Sequence, residues 1–337
     1  MMEMTEKMCG KLALEHQETP WVYNKSFEDI LFTRSLGFGA QGMGITTDVM
    51  GIKWLLKAGE PGAMPINSSV EDAVIKDVEN WEQYVKFPDL DKIDWQAWAE
   101  KETASWDREN RMSSVCIGEG FMELFENLAG MEASLCALIE EEEAVMAYNE
   151  AMADYLVRAI ERIAKYYKPD RIFMHDDYAN QLSLMISRER WQRMYKPYLK
   201  KVVDAVHGLG MYYEHHSCGK VAELFDDFVD IGVDATNPVQ FTNNPYELQK
   251  KYEDSLTLIG CSDKQAFVDN PNATPEQIEA HLREIVETMS KRRSFIAHIF
   301  FMDPSRTPIW AKVIDDINKP LYEKAGVKPR LMMDLLK

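Results

Sequence analysis

From about residue 113 the chain alternates strand-like and helix-like stretches, which predicts an α/β fold built as a closed (β/α)₈ barrel. Two further observations point the same way. At least six apolar runs read as buried parallel strands, which favours a closed ring over an open sheet. The polar clusters also fall directly after those runs, on the face where barrel sites lie.

The elements follow in order. The first hundred residues are irregular, with Gly37, Gly39, Gly42 and Gly44 and then the acidic, aromatic stretch Phe87 to Trp98. Residues 1–337 are thus expected to form one barrel domain, with 1–100 as an elaborated N-terminal cap plus the first barrel elements. Ser114 to Ile117 is a short β-rich run closing at Gly118-Glu119-Gly120. A long helical stretch follows, with Glu140 to Glu143 facing water. Arg171-Ile172-Phe173-Met174 is a buried strand that ends on His175-Asp176-Asp177. Ser187 reads as an N-cap with Glu189 in the first turn, opening a helix with Trp191, Met194, Tyr195, Tyr198 and Leu199 at helical spacing. Met211-Tyr212-Tyr213 leads into Glu214-His215-His216-Ser217-Cys218-Gly219. Val233 to Ala235 leads into Thr236-Asn237-Pro238-Val239-Gln240, and Leu256 to Ile259 into Gly260-Cys261-Ser262-Asp263. Thr274-Pro275-Glu276-Gln277 carries a capping box with Pro at the first helical position. Phe295 to Phe301 is the last apolar strand, and Thr307-Pro308 opens the next helix.

Composition bounds the function. A chain of 337 residues, 46% hydrophobic, can bury a large core. A formal net charge of −18 argues against nucleic acid or an anionic membrane as partner. No apolar run reaches the roughly 18–20 residues needed to span a bilayer, and Met1 to Gly10 is polar, so no export is expected. Five unevenly spaced cysteines do not make a disulfide framework, which points to reduced cytosol. The 20 methionines read as adaptable core filler.

His216 and Cys218, two apart at one strand end, and Cys261 at a later one can converge on a single zinc, leaving a fourth position open. Taken alone Cys261 reads as a buried core thiol, and only beside His216 and Cys218 does it read as a ligand. His215 points inward or outward without ligating, while His175 and His298 read as core histidines. Cys9, Cys116 and Cys136 read as structural. Asp176 and Asp177 are either catalytic acids or helix-capping, salt-bridged carboxylates. Trp21, Phe38, Trp54 and Phe121 read as core aromatics.

These segments resemble the uroporphyrinogen decarboxylase superfamily, which includes zinc-dependent, corrinoid-linked methyltransferases. The resemblance runs from Asp48-Val49-Met50-Gly51 to Thr307-Pro308. It is most specific at His215-His216-Ser217-Cys218-Gly219-Lys220, Ile231-Gly232-Val233-Asp234 and Asn237-Pro238-Val239-Gln240. Asp176-Asp177, Ile186-Ser187 and Pro197-Tyr198-Leu199-Lys200 add to it. It implies the barrel fold. The decarboxylases carry an Arg-rich N-terminal signature that grips tetrapyrrole carboxylates, whereas only Arg34 precedes Arg108 here, so a multiply anionic porphyrinogen lacks its guanidinium forks. The methyltransferase branch binds zinc through a His-x-Cys and a distant Cys. Thiol-methylating members place that Cys on the last strand, near Ile299 to Met302, where this chain has none. Cys261, one strand earlier, resembles the spacing of members that demethylate aromatic ethers.

The resemblance implies zinc on His216, Cys218 and Cys261, and a methyl group moved between a small methylated substrate and a corrinoid (cobalamin) carried by a partner protein. Asp176, Asp177 or Glu214 would protonate the leaving oxygen or complete the zinc shell. Gln181, Asn237 and Gln240 are assigned to substrate, with Asn237 and Gln240 also able to accept a bond from His216. The competing readings are a lyase of the decarboxylase type and a non-catalytic barrel that binds a small ligand. The lyase would need basic residues at the rim, where Lys220 and Lys264 are the strand-end candidates. Homo-oligomerisation stays open.

Overall fold

Strands buried on both faces and spaced by amphipathic helices make a parallel sheet that curls on itself. In the computed structural model all residues are described except 1–3, 34, 35, 37, 59, 61, 119 and 337, so the expectations for Arg34, Gly37 and Glu119 lie outside the described residues. The barrel strands are β1 (Asp29–Thr33), β2 (Met112–Ile117), β3 (Arg171–His175), β4 (Tyr212–His216), β5 (Ala235–Asn237), β6 (Thr257–Ile259) and β7 (Phe295–Ile296). They lie in sequence order and every neighbouring pair is parallel.

The ring closes without an eighth full strand. Lys25 N donates to Ala297 O at 2.9 Å and Ala297 N donates to Tyr23 O at 2.9 Å, so a single parallel bridge at Asn24 and Ala297 joins β7 to the segment before β1. The chain turns helical at Lys25–Glu28, where the Asn24 side chain caps the turn, so this pairing cannot lengthen. The expected strand Phe295 to Phe301 is accordingly shortened to Phe295–Ile296 and the bridge at Ala297.

The capping expectations are met. Ser187 Oγ accepts from Arg190 N at 3.2 Å, and Thr274 and Gln277 form the reciprocal capping box. Glu140 and Glu143 are exposed, and Glu142 pairs with Arg190 and Arg193. The N-terminal region divides in two. Gly44–Thr47, Lys53–Leu56 and Met64–Pro65 form an antiparallel sheet, its hairpin made by Asp48-Val49-Met50-Gly51. The Asp48 carboxylate accepts from the Met50, Ile52 and Gly39 amides and from Trp54 Nε1 at 2.9–3.1 Å, which fixes the turn. The aromatic stretch instead packs outside the barrel on helix Glu142–Tyr166, with Trp81 edge-on to Tyr148 (5.4 Å) and Phe87 stacked on Tyr155 (5.0 Å). Trp21, Phe38, Trp54 and Phe121 are all buried core residues.

None of the five cysteines forms a disulfide. No helix among the described residues is long and apolar enough to cross a membrane.

Candidate metal and active site at the barrel rim

β4 extends through Glu214, His215 and His216 rather than ending before them, so strand alternation decides where each side chain points. Glu214 and His216 share one face and His215 takes the other. His215 is sealed outside the ring against Phe228 and Tyr178 (ring centroids 4.8 and 5.4 Å) with Tyr213 Oη 3.2 Å from its Nδ1. Burial, with His175 nearby, pushes its pKa down to about 3, and it remains neutral.

The inner face is layered. At the base Arg171 pairs with Asp29, donates to Ser114 Oγ (3.0 Å) and lies 3.0 Å from Glu214, while Tyr23 Oη donates to Asp29. Above it Lys25 pairs with Glu214 and stands 4.2 Å over the Phe173 ring. Lys25, Asp29, Arg171 and Glu214 are all fully or nearly fully buried, two cations against two anions. Burial alone would push Glu214 up, but Arg171 and Lys25 hold it below the usual carboxylate range. Glu214 was expected as an acid at the rim; it is instead an ionised, buried group that also accepts from Asn237 Nδ2.

The top layer holds the candidate site. The β3–β4 ladder sets His175 opposite His216, and their rings stack at 3.7 Å. Among the described residues, His175, Asp177 and His216 bring three ligand atoms within 4.8 Å of one another. His216 Nε2 lies 3.4 Å from Cys218 Sγ and 3.6 Å from Asp177 Oδ1. The Cys218 amide donates to Asp177 Oδ1 at 2.6 Å. On its other side His216 Nδ1 lies 3.2 Å from Asn237 Oδ1, and His175 Nδ1 lies 2.6 Å from Glu123 Oε2. Asn237 is buried, whereas His216, Asp177, Glu123 and His175 are partly exposed, from 14% at His216 to 32% at His175.

The loop carrying Cys218 is tied to its neighbours. Gly219 has φ +81°, and a Cβ there would come within 2.5 Å of Ala179 O and Asn180 O. Lys220 N donates to Asn180 O (2.8 Å), Asn243 Nδ2 to Gly219 O (2.8 Å), and Tyr178 N to Ser217 Oγ (3.0 Å). Gln181 Nε2 donates to Gln240 Oε1 at 3.3 Å, joining the loops after β3 and β5 at the surface.

Asp176 resolves to the capping alternative. Its carboxylate accepts from the amides of Phe121, Met122 and Glu123 at the start of helix Phe121–Ala129, and from Tyr178 Oη (2.6 Å). Gly120 is required there, since a Cβ would lie 2.4 Å from Asp176 Cβ. Cys261 is fully buried at φ +71° after β6, burial alone pushes its thiol up, and the His175–Asp177–His216 group does not include it. His298 bonds Ser26 at the ring seam.

The sequence reading took His175 for a core histidine and gave Glu123 no role. His175 closes β3 as His216 closes β4, and that shared terminal position was the available signal. Glu123 is brought in by a helix and leaves no local trace.

The field at this rim is negative. Burial and then Asp177 and Glu123 push the Cys218 thiol up to about 12. Burial and Glu123 raise Asp176 to about 7 against its hydrogen bonds. Burial and then Asp176, Glu123 and Asp177 raise Glu126 to about 8. A raised acid binds its proton more tightly folded than unfolded, so its stabilising contribution is lost as pH rises from about 4.5 to about 8. The metal-free protein should lose thermal stability across that window, with a shallower loss in Glu126→Gln; equal slopes in melting curves from pH 4.5 to 8 would contradict this.

A zinc site fits the donors present. A tetrahedron with bonds of about 2.0–2.3 Å has edges of about 3.3–3.7 Å, the separations found around His216 Nε2. Imidazole, thiolate and carboxylate are all zinc ligands, and a divalent cation would offset the crowded negative charge.

The solved structure of a methyltransferase from Methanosarcina mazei matches with a TM-score of 0.64 and 14% identity, over 93% of this chain and 99% of that one. A D-psicose 3-epimerase (TM-score 0.34, 12% identity, 68% of this chain and 83% of that one) and an L-ribulose 3-epimerase (0.40, 12%, 88% and 95%) are more distant. No match is found among curated protein sequences. The uroporphyrinogen decarboxylase (URO-D) family model matches residues 75–300, a span that holds β2 to β7 and every rim residue described above, and the chain belongs to that family.

Proposed function

We propose that the protein is a zinc-dependent methyltransferase that moves a methyl group between a small methylated substrate, such as a methoxylated aromatic, and a corrinoid protein. The observation that carries this reading is the convergence of Cys218 Sγ and Asp177 Oδ1 on His216 Nε2 at the open end of the barrel. His216 and Cys218 would hold the metal, with the third position taken by Asp177 in the observed geometry or by Cys261 in the family-based set. Bound zinc supplies Lewis acidity at the ether or alcohol oxygen of the substrate. The corrinoid, carried by a separate protein, supplies the cobalt nucleophile.

The chain's own residues do the rest. Where Cys261 takes the third position, Asp177, its pKa raised by burial and Glu123, would be the acid for the leaving oxygen; where Asp177 itself holds the metal, it gives up that role. Gln181 and Gln240 orient substrate at the mouth, and Glu123 holds the His175 ring through Nδ1. Cysteines outside disulfides suit a reducing cytoplasm.

The family description favours a second reading, a decarboxylase-type lyase. Its substrate carboxylates would need unpaired cations, yet the barrel's inner Lys25 and Arg171 are neutralised by Glu214 and Asp29. Lys264 at the rim is engaged by Phe300 O and Asp269. The test combines elemental analysis with methyl transfer from candidate ethers to cobalt(I) corrinoid, followed by absorbance. About one zinc per chain and methylcobalt formation are expected. Zinc-free protein that releases carbon dioxide from a carboxylated substrate would install the lyase reading, and ligand binding without turnover the non-catalytic one.

A further inference from the structure

We infer that Glu214 is a positioning residue: through the Asn237 amide it fixes His216 as the Nδ1–H tautomer and leaves Nε2 bare toward Cys218. What this means for a metal rests on the function proposed above; the tautomer itself does not.

The inference follows from what each atom can donate. The β4–β5 ladder pairs His216 with Asn237, and alternation along β4 puts Glu214 on the same inner face as His216. Asn237 therefore sits between them. Glu214 is paired with both Lys25 and Arg171, so it is a carboxylate and can only accept hydrogen bonds. The Asn237 NH₂ must face it, as observed. The Asn237 carbonyl oxygen then faces His216 Nδ1 at 3.2 Å, and an amide oxygen is also only an acceptor. The proton belongs on Nδ1. A neutral imidazole has one N–H, so Nε2 presents a lone pair, which the Cys218 thiol satisfies across 3.4 Å until a cation replaces that proton. An unconstrained histidine side chain prefers its proton on Nε2, so this tautomer is imposed by the network. Fully buried Glu214 has no path to the rim, and Asn237 is the only group observed bridging it to His216 among the described residues.

The experiment is ¹⁵N–¹H long-range correlation of the histidine rings in metal-free protein, with zinc affinity measured separately by chelator competition. Wild type should show His216 protonated on Nδ1 alone. In Glu214→Gln the new carboxamide can donate or accept, the Asn237 amide loses its single orientation, and both tautomers should appear. Asn237→Ala removes the Nδ1 acceptor and should move the proton to Nε2, weakening zinc about 10- to 100-fold. It keeps the Lys25–Glu214–Arg171 set intact and serves if Glu214→Gln fails to fold. An Nε2–H tautomer in wild type, or pure Nδ1–H in Asn237→Ala, would overturn the inference. The expected tautomers in a protein that binds no zinc would leave it standing and remove the metal reading instead.

Discussion

Alanine at His216 or Cys218 is expected to weaken zinc binding by more than about a hundredfold, since even partners behind a ligand cost 10- to 100-fold when removed. Methyl transfer should fall below detection with it. The loss should be chemical rather than structural: both side chains are at the partly exposed top layer, and neither enters the Lys25–Asp29–Arg171–Glu214 set. Melting temperature measured beside metal content checks this, and a variant that keeps stoichiometric zinc would refute the ligand assignment. Cys261→Ala separates the two candidate sets. Retained zinc assigns the third position to Asp177, whereas lost zinc in a folded protein requires the sealed thiol to reach the rim when metal is bound.

Arg171→Met should be the most damaging single change to stability, by roughly 3–5 kcal/mol. The guanidinium answers Asp29, Glu214 and Ser114 at once, all within the ring. Methionine fills much of its volume but leaves Asp29 without a cation and Glu214 with Lys25 alone. The deficit comes from the buried charge left without its partner. Urea unfolding of wild type and variant tests this; a difference under about 1 kcal/mol, the scale of exposed pairs, would mean that water reaches the barrel floor.

The fold was legible because its signals are local. Ser187 and Thr274 announce their helices by cap chemistry alone, and the strands β2, β3 and β6 stand out as apolar runs between turn residues. The ring's closure was not, because it rests on one bridge at Asn24 and Ala297, and single bridges have no periodicity. At the candidate site, the pairing of His216 with Cys218 was readable from their spacing at a strand end. Glu214 was placed correctly on the strand end but given the wrong office, since its partners Lys25 and Arg171 come from distant segments. Glu123 and His175 illustrate the same limit, meeting across 52 residues of chain at the mouth of the ring.

The clasp around Gly219 makes the proposed metal centre open to re-engineering. Because the loops after β3, β4 and β5 are fastened by backbone groups and Asn243, the ordering entropy of position 218 is spent during folding and not during capture of the ion. Hardness of the donor atom can thus be varied independently of scaffold geometry. Exchanging the Cys218 sulfur for a carboxylate oxygen should shift preference from zinc toward manganese or magnesium while the surrounding frame stays in place.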